Sequence, residues 1–271
     1  LLLNTSGTTI VLAYGPVTEE GDGGEYAIPE GFTSIGPGAF YGQNGIKKLT
    51  IPASVTEIGD NAFRYCRLLE TVEFAQGSVL TTLGDYAFSY CFSLESISLP
   101  DSLKNVGKYA VAYNTSMTSA YLPAISYSAD YTAQNVFSQN TALTTLKFSD
   151  DLTWLPADML NGSSALEEVT LPAALGTGEE TYKSNGPFDQ PFNSSGIKRV
   201  NINGVKVIPD SLFYVTSASS STLEEIDLSG VTEIGENAFR NCATLKSVDL
   251  SSAIRIGYQA FKGCALIEEA N

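Results

Sequence analysis

An Ala-Phe pair that returns at a nearly constant interval is the feature that most constrains how this chain folds. It stands at Ala39-Phe40, Ala62-Phe63, Ala87-Phe88, Ala238-Phe239 and Ala260-Phe261, with Val136-Phe137 and Leu212-Phe213 as close variants. Around the second copy the full pattern is Ile51-Pro52-Ala53-Ser54-Val55-Thr56-Glu57-Ile58-Gly59-Asp60-Asn61-Ala62-Phe63-Arg64-Tyr65-Cys66, followed by Leu69, Val72 and Phe74. Units begin at Ile28, Ile51, Phe74, Leu99, Leu122, Phe148, Leu171, Ile202, Leu228 and Leu250, at spacings of 23, 23, 25, 23, 26, 23, 31, 26 and 22 residues. A period in this range marks a repeat array, in which each unit is one supersecondary element that buries its apolar side only by stacking on its neighbours.

Within each unit an apolar triplet recurs at spacing three then two, as in Leu69, Val72, Phe74 and in Leu94, Ile97, Leu99. The last two members alternate with polar residues, which predicts a short half-buried strand. Pro29, Pro52, Pro100, Pro123 and Pro172 follow such strands and end them, because proline has no N–H to donate to a ladder. Gly36, Gly59, Gly84, Gly107, Gly235 and Gly257 close a second short strand, where a turn of positive φ is expected.

The combination Ile-Pro-x-x-Val-Thr-x-Ile-Gly-x-x-Ala-Phe-x-x-Cys-x-x-Leu resembles the BspA-type leucine-rich repeats of bacterial surface and secreted proteins, over residues 26 to 271. The resemblance implies a β-rich solenoid of the leucine-rich repeat (α/β) type. About ten rungs of 22–31 residues would present a parallel sheet on one face and short strands, turns and helical turns on the others. Residues 1–25 are expected to form an N-terminal β cap, with Thr8 to Tyr14 as a strand and Leu1 to Leu3 paired to it. The resemblance also implies an exported, often surface-anchored protein, with some members binding matrix or plasma proteins, and no shared catalytic residues. Val111 and Leu160 replace the phenylalanine in the middle of the chain, and the unit from Leu171 is expanded around Gly176 to Gly186.

Charge and composition narrow the function classes. Fifteen basic residues against 30 acidic ones give a net charge of −15 over 271 residues, which repels nucleic acid and anionic lipid at long range. Histidine is absent, so neither a Ser-His-Asp or Cys-His nucleophile nor an imidazole-bearing zinc site can be built. No apolar run is long enough to span a bilayer, so a membrane would be reached only through an anchor outside this sequence. Leu1 is no start methionine, and an export signal is expected to have been lost with the true N-terminus.

The strand phase predicts which side chains face outward from the parallel sheet. They are Lys48 and Thr50, Thr71 and Glu73, Ser96 and Ser98, Ser119 and Tyr121, Thr145 and Lys147, Glu168 and Thr170, Arg199 and Asn201, Glu225 and Asp227, and Ser247 and Asp249. This is the candidate ligand-contact face, hydroxyl-rich in its first half and acidic at its end. Asp227 and Asp249 stack on neighbouring rungs, which suits a basic partner or Ca²⁺, although exposed carboxylates also serve solubility. Tyr182 and Lys183, in the expanded unit, are candidate edge-loop contacts. Cys66, Cys91, Cys242 and Cys264 share one repeat column with Asn114 and Asn140, and are read, like Phe40, Phe63, Phe88, Phe239 and Phe261, as structural repeat positions with free thiols.

No nucleophile-base pair, metal cluster or cofactor motif stands out, so the expectation is a non-enzymatic binding module without a cofactor. Its partner would be a macromolecule of a host or neighbouring cell, protein ahead of glycan, with the chain itself a monomer. A structural spacer or assembly subunit of the cell envelope is the alternative, favoured by the scarcity of Trp, Tyr and Arg anchors on the predicted face.

Overall fold

In the computed structural model, residues 2–3, 7–13, 24–126, 133–177 and 190–267 are described; no side-chain description applies to Leu2 and Leu3. The chain winds as a parallel β-solenoid of about nine turns. The predicted face is built from Glu25–Ala27, Lys48–Ile51, Thr71–Phe74, Ser96–Ser98, Ser119–Leu122 and Thr145–Phe148, hydrogen-bonded in that order as one six-stranded sheet. Glu168–Thr170, Arg199–Asn201 and Glu225–Ile226 continue it as a separate three-stranded ladder. The tenth expected rung contributes Val248 as a lone bridge residue rather than a strand.

A second face carries shorter strands. Thr9–Leu12, Ser34–Ile35, Glu57–Ile58, Thr82–Leu83 and Asn105–Val106 pair in parallel, and Leu2–Leu3 adds antiparallel to Thr9–Leu12 at the edge. Thr9–Leu12 thus belongs to the same ladder as the repeats that follow it. Val207–Ile208, Glu233–Ile234 and Arg255–Ile256 form the corresponding sheet of the C-terminal half. Helix is nearly absent among the described residues: a single 3₁₀ turn at Ala218–Ser220, in the polar insertion before Leu223, stands where helical turns were expected in many rungs.

The third side is made of turns, yet it too is hydrogen-bonded from rung to rung. Asn61 N donates to Asp85 O at 2.7 Å, Phe63 N to Ala87 O at 2.8 Å and Tyr65 N to Ser89 O at 3.0 Å. Directing alternate N–H groups along the stack requires left-handed residues, and they recur twice per rung, as at Gly38 and Gly42, Asn61 and Tyr65, Tyr86 and Tyr90, and Asn237 and Asn241.

The strand-closing glycines act differently from the expectation. None of Gly36, Gly59, Gly84, Gly107, Gly235 and Gly257 has positive φ; a Cβ on Gly84 would instead meet Asp60 N at 2.5 Å, and one on Gly107 would meet Asp85 N at 2.4 Å. They are needed because successive rungs touch there backbone to backbone.

The repeat columns fill the interior. Phe40, Phe63 and Phe88 are fully buried and stack; Phe192, Phe213, Phe239 and the partly buried Phe261 form a second stack, all at centroid separations of 5.0 to 5.3 Å. Val111 and Leu160 occupy the column as buried aliphatics. Beside it, the Sγ atoms of Cys66, Cys91, Cys242 and Cys264 donate to Phe40 O, Phe63 O, Phe213 O and Phe239 O at 3.1 to 3.3 Å, and all four thiols are free. Asn114 and Asn140 take the same place and accept the backbone N–H of the preceding rung, each at 2.8 Å. Trp154 lies half-buried against the core and donates Nε1 to Ile125 O at 3.1 Å.

Candidate protein-binding face

Parallel pairing in register turns the predicted outward residues into two continuous columns. Glu25, Lys48, Thr71, Ser96, Ser119 and Thr145 are successive partners in one. Ala27, Thr50 and Glu73 run in the other, which resumes as Ser98, Tyr121 and Lys147. Past the break, Glu168, Arg199 and Glu225 align, as do Thr170 and Asn201. None of the predicted face residues is buried, including Asp227, Ser247 and Asp249 beyond the last strands. Glu25 and Ala27 extend the face at its start; sequence reasoning began the columns one rung late because Glu25-Tyr26-Ala27 lacks the preceding Leu of the triplet.

Two opposite-charge pairs form within this face. Lys48 Nζ lies 3.0 Å from Glu73 Oε1, and Arg199 Nε lies 3.3 Å from Glu168 Oε2. The hydrogen bond to Glu73 raises the Lys48 pKa. Tyr121 donates its hydroxyl to Asp101 Oδ1 at 2.7 Å, and partial burial with that bond pushes its phenol up. At the acidic end, Asp227 Oδ1 accepts the N–H of Ser229 at 2.8 Å and Asp249 Oδ1 that of Ser251 at 2.9 Å. Bonds to Ser229 and Ser251 hold both carboxyls below their usual range, although Asp249 opposes this at Asp227. These carboxylates serve their own turns, and among the described residues no three acids or cysteines gather as a metal cage.

Two depressions open on the face. One of about 580 Å³ lies at the strand ends, lined by Glu73, Phe74, Ser98, Pro100, Asp101 and Tyr121 among others. The other, about 400 Å³, sits at the seam between the two ladders, with Thr145, Lys147 and Phe148 on one wall and Glu168, Thr170 and Leu171 on the other. Lys147 and Tyr121 are register partners and link the two depressions. Tyr182 and Lys183 lie outside the described residues.

Sequence reasoning missed a second surface. On the third side, Tyr65, Tyr90 and Tyr113 stack at 4.7 and 4.4 Å, and Tyr86 stacks on Tyr109 at 5.0 Å. Arg64 lies 4.5 Å from the Tyr86 ring centroid and within 5.1 to 5.3 Å of Tyr65 and Tyr90. The signal was present: Tyr65, Tyr90 and Tyr113 each precede the Cys/Asn column, and Tyr86 and Tyr109 each precede the alanine of the Ala-Phe column.

Stacked rungs, a buried phenylalanine column and an outward parallel sheet define a leucine-rich-type repeat solenoid. The BspA type leucine rich repeat region matches residues 24–129, 78–186 and 188–269, and the chain belongs to that family. A leucine-rich repeat protein from Bacteroides ovatus is similar in fold, with a TM-score of 0.53 and 23% identity over 92% of this chain and 75% of its own. A T. pallidum leucine-rich repeat protein aligns over 98% of this chain and 86% of its own at 18% identity, with a TM-score of 0.41. No curated protein matches the chain. Membership in that family makes it a repeat module of a protein-interaction family.

Proposed function

We propose that this chain is a non-enzymatic adhesion module of a secreted or cell-surface bacterial protein, and that it holds a protein of a host or neighbouring cell on the sheet face. The observation that carries the reading is the seam groove, where Lys147 and Thr170 line opposite walls of a depression on a rigid sheet. Each wall costs little conformational entropy on binding, because its backbone is already fixed by its own ladder. Within that frame Tyr121 and Lys147 supply an amphipathic ring and a cation beside the groove, and Arg199 supplies a second cation beyond it. Tyr and Arg are the residue types that dominate interface energetics. Surface attachment rests on the family resemblance.

The test is solid-phase binding of the purified chain to matrix proteins, plasma proteins and glycans, at low and physiological salt, beside a folded control of similar negative charge. Salt-resistant binding to one protein, lost when Tyr121, Lys147 and Arg199 are changed to alanine together, supports the reading. Binding no better than the control assigns the chain instead to the role of a spacer or assembly subunit.

A further inference from the structure

Acidic residues outnumber basic ones two to one in this chain, 30 to 15, yet its arginines are divided between two kinds of partner. Arg199 and Arg255 pair with Glu168 and Glu233. Arg64, Arg67 and Arg240 lie over aromatic rings instead, with no carboxylate at ion-pair distance among the described residues. Arg64 and Arg67 share one patch: Arg64 rests among Tyr65, Tyr86 and Tyr90, and Arg67 reaches both Tyr65 and Phe92. Asn61 Oδ1 accepts from Arg64 Nη1 at 3.0 Å and the Nε N–H is buried, so Arg64 has only its terminal amino groups left to donate to a partner. The neighbouring Asp60 and Asp85 each turn one carboxylate oxygen onto a backbone N–H of the next rung.

The backbone under this patch is strained. Tyr65, Tyr86, Tyr90, Tyr109 and Tyr113 adopt φ between 53° and 63°, where the matching turns elsewhere hold smaller or more flexible residues such as Gly38, Asn135, Gln139, Asp158, Ser211 and Gln259. A bulky residue in the left-handed region costs of order 1 kcal/mol or more, and such strain concentrates at functional sites. The stacking also decides what the patch offers. Tyr90 has Tyr65 on one side and Tyr113 on the other, and Tyr86 lies between Arg64 and Tyr109. The faces of Tyr86 and Tyr90 are thus taken, so these two central rings offer mainly their edges, the electropositive part of an aromatic quadrupole. A sugar needs an open ring face to stack on; a carboxylate needs donors and positive edges.

We infer that this tyrosine and arginine patch is a second protein-binding site, distinct from the sheet face, and that it takes an extended acidic segment of a partner whose carboxylates accept from Arg64 and Arg67. Paired Tyr and Arg at a pre-ordered surface are what interface hot spots are made of. The chain's overall negative charge does not forbid the contact, since at physiological salt charges beyond about 8 Å are screened.

The experiment is selection of a phage-displayed random peptide library on the purified chain at physiological salt, followed by titration of the best synthetic peptides. Selected peptides enriched in Asp and Glu are expected, with affinity falling about tenfold in Arg64→Gln/Arg67→Gln and holding in Arg255→Gln, which lies outside both proposed surfaces. Arg67→Gln alone, at an exposed residue that leaves the ring stack in place, is expected to lose several-fold affinity without changing the melting temperature. The assignment is overturned if the selected peptides carry no acidic bias, if they bind the double glutamine variant as well as the parent, or if only polygalacturonate binds the patch. Sheet-face binding would survive any of these, because Arg64 and Arg67 lie on another side of the rung.

Discussion

Phe63 and Phe88, 25 residues apart in the chain, stack with ring centroids 5.0 Å apart and planes 2° from parallel, each fully buried. The contact exists only because the rungs carrying them are in register, so it couples local sequence to the whole stack. Phe63→Ala removes the middle ring of three, and Phe88→Ala a ring set between Phe63 and the column's aliphatic Val111; each leaves a buried cavity, at a cost of about 3–5 kcal/mol. Phe261 stacks on Phe239 alone and is only partly buried, so Phe261→Ala costs less. Urea unfolding of the three variants checks the order.

Backbone contact between rungs makes a sharper prediction at the glycines. An alanine at Gly84 would place its Cβ 2.5 Å from Asp60 N, a backbone atom that cannot rotate away, whereas Gly77 has positive φ and open space around it. Gly77→Ala therefore costs about 1 kcal/mol of backbone strain. Gly84→Ala has to push neighbouring rungs apart and costs more, above about 2 kcal/mol on the scale of overpacked cores. Thermal melting of both variants beside the parent decides the ranking.

The buried thiols tie stability to pH. Burial pushes Cys66 up from an ordinary 9.0 to about 12, and raises Cys91 and Cys242 strongly as well, while half-buried Cys264 rises to about 11. Above about pH 9 the unfolded chain loses these protons and the folded chain keeps them, so the unfolded state binds fewer protons and stability falls as pH rises. Partly buried Tyr26 and the stacked Tyr90 and Tyr109, all raised by desolvation, act in the same direction at higher pH. The stability of a Cys66→Ala/Cys91→Ala/Cys242→Ala variant, compared with the parent at pH 8 and pH 10.5, is expected to decline less steeply. Alkylation at pH 8 should modify Cys264 first, with the buried three reacting only as fast as the chain opens.

Much of this architecture is written in the columns of the sequence. Phe63, Cys66, Val72 and their equivalents recur at intervals that fix which residue lies over which, so the register of the sheet and its outward residues were legible from the chain alone. Three things were not. Gly59 and Gly84 looked like turn residues because a sequence shows a glycine's freedom but not the approach of a neighbouring backbone. Helical turns were expected on the remaining sides, where successive left-handed residues instead direct the backbone into a third hydrogen-bonded ladder. The tyrosine column escaped notice because left-handed positions favour Gly and Asn, and Tyr65, Tyr90 and Tyr113 break that preference.

The most direct test of the sheet face as a binding surface is carbodiimide footprinting of carboxylates, on the free chain and on its complex with whichever protein the binding panel captures. Glu73, Glu168, Glu225 and Asp227 report on the face, and Glu57, Glu233 and Glu236 on the other sides. Protection concentrated at Glu73 and Glu168, which line the two depressions, is the predicted result. Unchanged labelling at these two, with protection at Glu57 or Glu236, would contradict the account.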